Sequence, residues 1–199
     1  MLASNVKTVR NDMKTLLRDA QDLFREATSA TGEKADELRQ KGIRLNISKW
    51  KRPHPESAPT QSKAAGLYMI GTLSKHDAEA AGYSDSLMLD WRGHVAEATG
   101  ANIFLVIDGK IHTPIPDCFL DGITRRSVIR LAKARGFEVI ERHIPAEELS
   151  TFSEVFLTGT AAEVTPVSEI GPHRYTPGNI SLSLMDDYAK MVRRQLQPA

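Results

Sequence analysis

After Gly42 the apolar residues stop recurring every three or four positions and fall instead into short runs separated by turn dipeptides. This change of period constrains the fold more than any other feature of the chain. Runs at 43–50, 86–90, 94–98 and 102–107 have strand length, Arg92-Gly93 and Asp108-Gly109 supply turn residues, and a short return strand fits 111–113. The runs from 86 to 113 predict a largely antiparallel meander. A loop holding Pro53, Pro55 and Pro59 precedes a helix predicted over 62–81 and ended by Gly82. A second helix over 124–135 buries Val128, Ile129, Leu131 and Ala132 and stops at Gly136, where glycine suits a left-handed cap. Then follow a strand at 137–142, a short helix at 146–149, strands at 154–158 and 164–170, and a terminal helix at 181–197.

Residues 1–42 read differently. Val6, Val9, Met13, Leu16, Leu17, Ala20, Leu23, Phe24 and Ala27 recur at helical intervals with charges between them, the pattern of an amphipathic helix. Thr31-Gly32 interrupts it, and a second short helix fits 33–41, so the unit is a helical hairpin or one bent helix. Such a segment docks on its own domain or on a partner. At 199 residues and 41% hydrophobic content, one main domain over 43–199 with a helical appendage over 1–42 is expected.

A net charge of +1 gives no long-range reason to bind nucleic acid. Arg44, Lys49, Lys51, Arg52 and His54 form a local basic cluster that fits either a solvated surface or the rim of an anionic-substrate site. The single cysteine, Cys118, has no partner in the chain for an internal disulfide and reads as a small core side chain. No apolar run approaches the roughly 18–20 residues of a membrane span, and the N-terminus lacks an apolar signal core. A soluble cytoplasmic protein is the expectation.

Lys63 lies in Pro59-Thr60-Gln61-Ser62-Lys63-Ala64-Ala65-Gly66-Leu67-Tyr68, an amine framed by small residues with a tyrosine five positions on. Downstream stand Glu97 in Ala96-Glu97-Ala98-Thr99-Gly100-Ala101-Asn102, then Leu120-Asp121-Gly122-Ile123-Thr124-Arg125, then Thr158-Gly159-Thr160-Ala161-Ala162-Glu163-Val164-Thr165-Pro166. Alone, each has an ordinary explanation: a solvated charge, a packed tyrosine, or capping and turn chemistry at the Gly-Thr pairs. Together, and in this order, they resemble the large domain of the fold-type IV pyridoxal-phosphate enzymes, most closely the branched-chain amino acid aminotransferases. The resemblance runs from about residue 43 to the C-terminal region.

That resemblance implies an α+β fold of the D-amino acid aminotransferase type, a mostly antiparallel sheet or pseudo-barrel with flanking helices, preceded here by the N-terminal amphipathic segment. It implies pyridoxal 5′-phosphate as cofactor. Lys63 would hold the cofactor aldehyde and shuttle the substrate proton, Glu97 would pair with the ring nitrogen, and Tyr68 would bond the phenolic oxygen. Leu120 would pack on the ring face, and Ile123 and Thr124 would receive the phosphate. Residues 122–124 suit an anion independently of the resemblance, since a helix starting there offers free N–H groups and a favourable dipole. In the family Thr160 also faces the phosphate, and the Thr160 and Ala161 amides receive the substrate carboxylate. No metal is implied.

The expected reaction is transamination between leucine, isoleucine or valine and 2-oxoglutarate. The expected partners are small-molecule amino acids and 2-oxo acids, without nucleic acid or a membrane span, in a homodimer. A D-amino acid aminotransferase or an aminodeoxychorismate lyase shares the same cradle, and the wording of residues 159–166 favours the branched-chain group. The family's N-terminal small domain finds no counterpart, so a non-catalytic or weakly active remnant is the rival reading. Residues 13–20 and 29–34 weakly resemble small helical proteins that tether ribosomes to a bacterial membrane, which suggests two pieces meeting near Gly42.

Overall fold

The computed structural model describes Glu37 and residues 41–194. The appendage expected over 1–42, apart from Glu37, Lys41 and Gly42, lies outside the described residues, as does the end of the terminal helix beyond 194. In chain order the elements are β1 (Ile43–Arg52), α1 (Ala65–Ala80), β2 (Asp85–Asp90), β3 (Val95–Ala98), β4 (Asn102–Ile107) and β5 (Lys110–Pro114). After these come α2 (Ile123–Ala134), β6 (Val139–Arg142), a 3-10 turn (Ala146–Thr151), β7 (Glu154–Gly159), β8 (Glu163–Ile170), β9 (His173–Arg174) and α3 (Asn179–Arg194).

Successive side chains of a strand point to opposite faces, and in β4 both faces are apolar. Ile103 and Leu105 join Leu45, Leu87, Val155, Leu157 and Val167 in one core. Phe104 and Val106 join Phe156, Val128, Ile129, Ile180 and Leu184 in a second core built by the helices α2 and α3. Phe104 and Phe156 stack across it with ring centroids 5.0 Å apart. Burying one such side chain contributes about 1.5–3 kcal/mol, so a one-residue slip of β4 would exchange the contents of both cores and is strongly disfavoured.

The strands run in the order β3-β2-β1-β8-β7-β4, and β3 also pairs with β4, so six strands close into a ring. One residue pair makes that closure, Glu97 with Asn102. β5 and β6 extend the sheet from β4, and β9 pairs with β8.

The strand pairs are antiparallel except at three places. β1 runs parallel to both β2 and β8, and β5 runs parallel to β6. The meander expected over 86–113 is antiparallel throughout, and the parallel pairs all involve β1 or β6 outside it, as α1 separates β1 from β2 and α2 separates β5 from β6. A helical crossover returns the chain in the same direction, whereas a tight hairpin reverses it. β9, with two residues, is too short to leave a period in the sequence.

The first helix also starts later than its spacing predicts, at Ala65 rather than residue 62. Ser62 donates both its backbone N–H and its hydroxyl to the Pro59 carbonyl, and Ala64 is extended, so the backbone before Ala65 is committed to a turn. Lys63 consequently sits in the connection ahead of α1. The helix then lays Gly71, Ser74 and Ala78 against the sheet, with Ser74 Oγ 2.6 Å from Ser48 Oγ of β1. α2 ends as expected before Gly136, which has φ +83°.

Candidate active site

The turn before α1, the β3–β4 turn, the loop entering α2 and the β7–β8 turn enclose a cavity of about 350 Å³. Lys63, Tyr68, Glu97, Leu120, Ile123, Thr124 and Thr160 all line it, although the sequence scatters them over almost a hundred positions. Ala161 is exposed in the turn after β7 and is not part of the lining. Lys63 and Thr160 are exposed, as are Tyr68 and Ile123, the last retaining 76% of its surface.

Glu97 occupies the buried side of the cavity, only 6% exposed. Its carboxylate Oε1 accepts from Arg52 Nη2 at 2.5 Å, and Oε2 accepts from Asn102 Nδ2 at 3.3 Å. Burial disfavours the charged form and outweighs the attraction of Arg52, which pushes the Glu97 carboxyl up to about 7. Glu97 is therefore poised to hold or release a proton near neutrality.

Asn102 extends this link toward the loop. Nδ2 also donates to the Leu120 carbonyl at 2.9 Å, and Oδ1 accepts from the Gly122 N–H at 3.3 Å. Gly122 needs to be glycine for a steric reason, since a Cβ there would lie 2.5 Å from Asn102 Oδ1. It is the N-terminal cap of α2, with no side-chain cap hydrogen bond and no acidic residue in the first turn. The helix thus presents unsatisfied N–H groups to the cavity end where Ile123 and Thr124 stand. The Thr124 hydroxyl lies 3.4 Å from Tyr188 of α3.

Among the described residues, two buried polar atoms on the cavity lining have no partner, Arg52 Nε and Thr158 Oγ1. An unpaired buried donor costs about 1–3 kcal/mol, so a polar occupant of this cavity would find groups ready to meet it. An acid against a buried arginine, free helix N–H groups and an exposed amine make up a donor set that fits a phosphorylated, aldehyde-bearing pyridine.

Cys118 also lines the cavity, but burial pushes its thiol up to about 12, which leaves it protonated and inert at neutral pH. Its neighbours Asp90 and Asp117 are bridged by Arg92 Nη2, 2.7 Å from each, so a guanidinium already supplies the positive charge of that corner.

Residues 22–170 match the family described as class IV amino-transferases. The chain belongs to that family. Among curated relatives of this class IV chain, the probable branched-chain-amino-acid aminotransferase of Rickettsia conorii is 42% identical over 158 residues, covering 77% of the present chain and 54% of the relative. Among solved structures, the branched-chain aminotransferase of the archaeon Thermoproteus uzoniensis with norvaline superposes with a TM-score of 0.74 at 37% identity. That match covers 76% of the class IV chain and 52% of the other. An aminotransferase from Brucella abortus bound to the cofactor PLP superposes with a TM-score of 0.72 at 31% identity, over 77% of this chain and 55% of that one. The chain thus spans about half the length of the relatives it matches. The likeness carries the α+β fold expected from the sequence.

Arg52, Asn102 and Thr158 were not among the site residues that the motifs pointed to. Arg52 stood in the basic cluster without a role, and its approach to Glu97 depends on β1, β2 and β3 lying side by side, which residue spacing does not reveal. Asn102 had a usable signal: Thr99-Gly100 marks a tight turn, so residues flanking it at equal distance face each other. Thr158, near the end of an apolar strand, carried none.

Proposed function

We propose that this chain binds pyridoxal 5′-phosphate and transfers the amino group between branched-chain L-amino acids and 2-oxoglutarate. The observation that carries the reading is Glu97, a buried carboxylate held by Arg52 on the same cavity as an exposed lysine and an uncapped helix N-terminus. When bound, the cofactor's protonated ring takes up the electron pair left on the substrate α-carbon.

Every other task falls to the protein. Glu97 shares its proton with the ring nitrogen and so keeps that nitrogen charged. The N–H groups of the first turn of α2, with the Thr124 and Thr160 hydroxyls, hold the phosphate. Leu120 would pack on the ring face, Ile123 would join Thr124 in receiving the phosphate, and the Tyr68 hydroxyl would bond the phenolic oxygen. The Lys63 amine would hold the cofactor aldehyde and would serve as the base for the proton on the substrate α-carbon. The amides of Thr160 and Ala161 receive the substrate carboxylate, the Ala161 contribution being from the backbone at the cavity rim.

The exposure of Lys63, Tyr68 and Thr160 favours a second reading, a weakly active domain, because water weakens each electrostatic contact at the site. Exposed Met69 and Ile123 support assembly as a homodimer, which sedimentation would check. Among the described residues no helix is long and apolar enough to cross a membrane, and the single buried cysteine supports a cytoplasmic location. Residues 1–42 are proposed as a separate appendage to the 43–199 domain.

The test is borohydride reduction of the cofactor-loaded chain followed by peptide mapping, together with an amino-transfer assay using L-leucine and 2-oxoglutarate. Label on Lys63 with turnover supports the proposal. Label without turnover supports the weakly active reading, and no label on Lys63 overturns both.

A further inference from the structure

Asn102 has a side-chain carbonyl and two N–H bonds, and the carbonyl and both N–H groups are engaged inside the protein. It donates to Glu97 Oε2 and to the Leu120 carbonyl, and it accepts from the Gly122 N–H. It is 5% exposed and lies directly opposite Glu97 in the one residue pair that closes the strand ring. On its other side it pairs with Thr158 of β7. No other residue type makes this set of contacts from that position. Asp keeps the acceptor for Gly122 but loses both donors and sets a second carboxylate against Glu97, and Gln is one methylene too long for a space where Gly122 already admits no Cβ.

We infer that Asn102 is a positioning residue, a single carboxamide that stabilises the charged form of Glu97 while fixing Gly122, the cap of α2, at a set distance from it. On the proposed function this locates the ring end and the phosphate end of the cofactor relative to each other before it binds. Ring acid and anion turn come from different parts of the chain, and Asn102 is the side chain hydrogen-bonded to both. Loss of its carboxamide leaves the Leu120 carbonyl and the Gly122 N–H without these partners and removes one of the two side chains that donate to Glu97 among the described residues.

The charged and titratable groups on the same cavity are Arg52 from β1, Lys63 ahead of α1, Tyr68 on α1, and Cys118 and Asp121 in the loop before α2. Arg52 bonds the carboxylate and favours its charge, as Asn102 does. The two therefore act in the same direction, and the Asn102 contribution is isolated by leaving Arg52 intact.

The deciding experiment uses the cofactor-free full chain, so that its outcome does not depend on cofactor binding. The protonated-carboxyl infrared band of Glu97, identified by its loss in Glu97→Gln, is titrated in wild type and in Asn102→Leu. A hydrogen bond to a charged group is worth about 1.5–3 kcal/mol and one pKa unit about 1.4, so Asn102→Leu raises the midpoint by about one to two units. A Val106→Ala control, which loosens the second core to a similar extent, leaves the midpoint where it was, as a merely structural role for Asn102 also would.

Should Asn102→Leu fail to fold, the wild-type carboxamide resonances of Asn102, followed by nuclear magnetic resonance, move with the Glu97 midpoint, and Glu97→Gln abolishes the movement. A second arm measures pyridoxal phosphate affinity, expected to weaken about tenfold or more in Asn102→Leu, a change of about 1.4 kcal/mol. An unmoved Glu97 midpoint in a folded Asn102→Leu chain, or carboxamide resonances indifferent to Glu97, overturns the inference. Failure of wild type to bind pyridoxal phosphate overturns the proposed function and leaves the titration result standing.

Discussion

Arg52 at the end of β1 and Glu97 in β3 meet in the interior with Nη2 and Oε1 2.5 Å apart, each side chain only about a tenth exposed. The two strands are not neighbours, because β2 runs between them. The pair joins the far ends of a three-strand layer at the cavity. A buried ion pair adds little net stability when intact, yet removal of one partner is costly because the other charge is left uncompensated. Here the carboxylate half of the pair is also the group proposed to face the cofactor ring.

Arg52→Met should therefore destabilise the cofactor-free chain most at alkaline pH, where Glu97 would be left charged and unpaired, and least near neutrality, where Glu97 takes up a proton instead. It should also raise the Glu97 midpoint above about 7, since burial is then opposed by the Asn102 amide alone. The double variant Arg52→Met with Glu97→Gln should recover much of the loss, which denaturant unfolding of the three proteins would measure.

Glu97 ought also to leave a mark on the pH dependence of folding. Its carboxyl titrates at about 7 in the folded chain against a reference value of 4.5, so between these values the folded state binds more protons than the unfolded one. Its contribution to stability is greatest below the lower value, falls as pH rises through the window, and levels off above about 7. Thermal midpoints of the cofactor-free protein should decline across that window, and Glu97→Gln should flatten the decline.

Gly122→Ala tests the close approach between the α2 cap and Asn102. A Cβ placed 2.5 Å from Oδ1 forces the loop or the carboxamide to move. Overpacking of this kind costs about 1–3 kcal/mol. The affinity for pyridoxal phosphate should fall more than that for pyridoxal, which lacks the phosphate, in a fluorescence titration of both ligands.

Much of the fold was legible because two periods dominate it. The strands containing Asn102–Ile107 and Glu154–Gly159 are apolar on both faces and read as short continuous runs, and the α2 face reads as Val128, Ile129 and Ala132. The parallel direction of β1 was not legible. It follows from a helix inserted between strands, and the local pattern of β1 is the same for either direction. The start of α1 was misplaced because the turn at Pro59 is held by backbone and hydroxyl bonds that carry no hydrophobic signal.

The cavity residues named by motif were legible because Lys63, Glu97 and Thr160 stand among small residues beside a turn and Thr124 follows the glycine that opens a helix. Arg52 was not, for it reaches across strands to Glu97, 45 positions away, and the turn at Thr99-Gly100 showed Asn102 only its place opposite Glu97, not its bond to Gly122, 20 positions on. A polar side chain that satisfies another polar group inside a sheet leaves no spacing rule behind.

The central claim is that Lys63 holds pyridoxal phosphate and carries the substrate proton. It is tested most directly by the visible absorption spectrum of the cofactor-loaded chain, before and after L-leucine is added, in wild type and Lys63→Ala. The account predicts a lysine-dependent band in wild type that leucine discharges. It predicts no such band in Lys63→Ala, with leucine turnover slowed roughly 10²–10⁴-fold while the thermal midpoint stays near that of wild type, because Lys63 is an exposed loop residue. A wild-type chain that shows no band, or a Lys63→Ala chain that shows the same band and the same response to leucine, would contradict it.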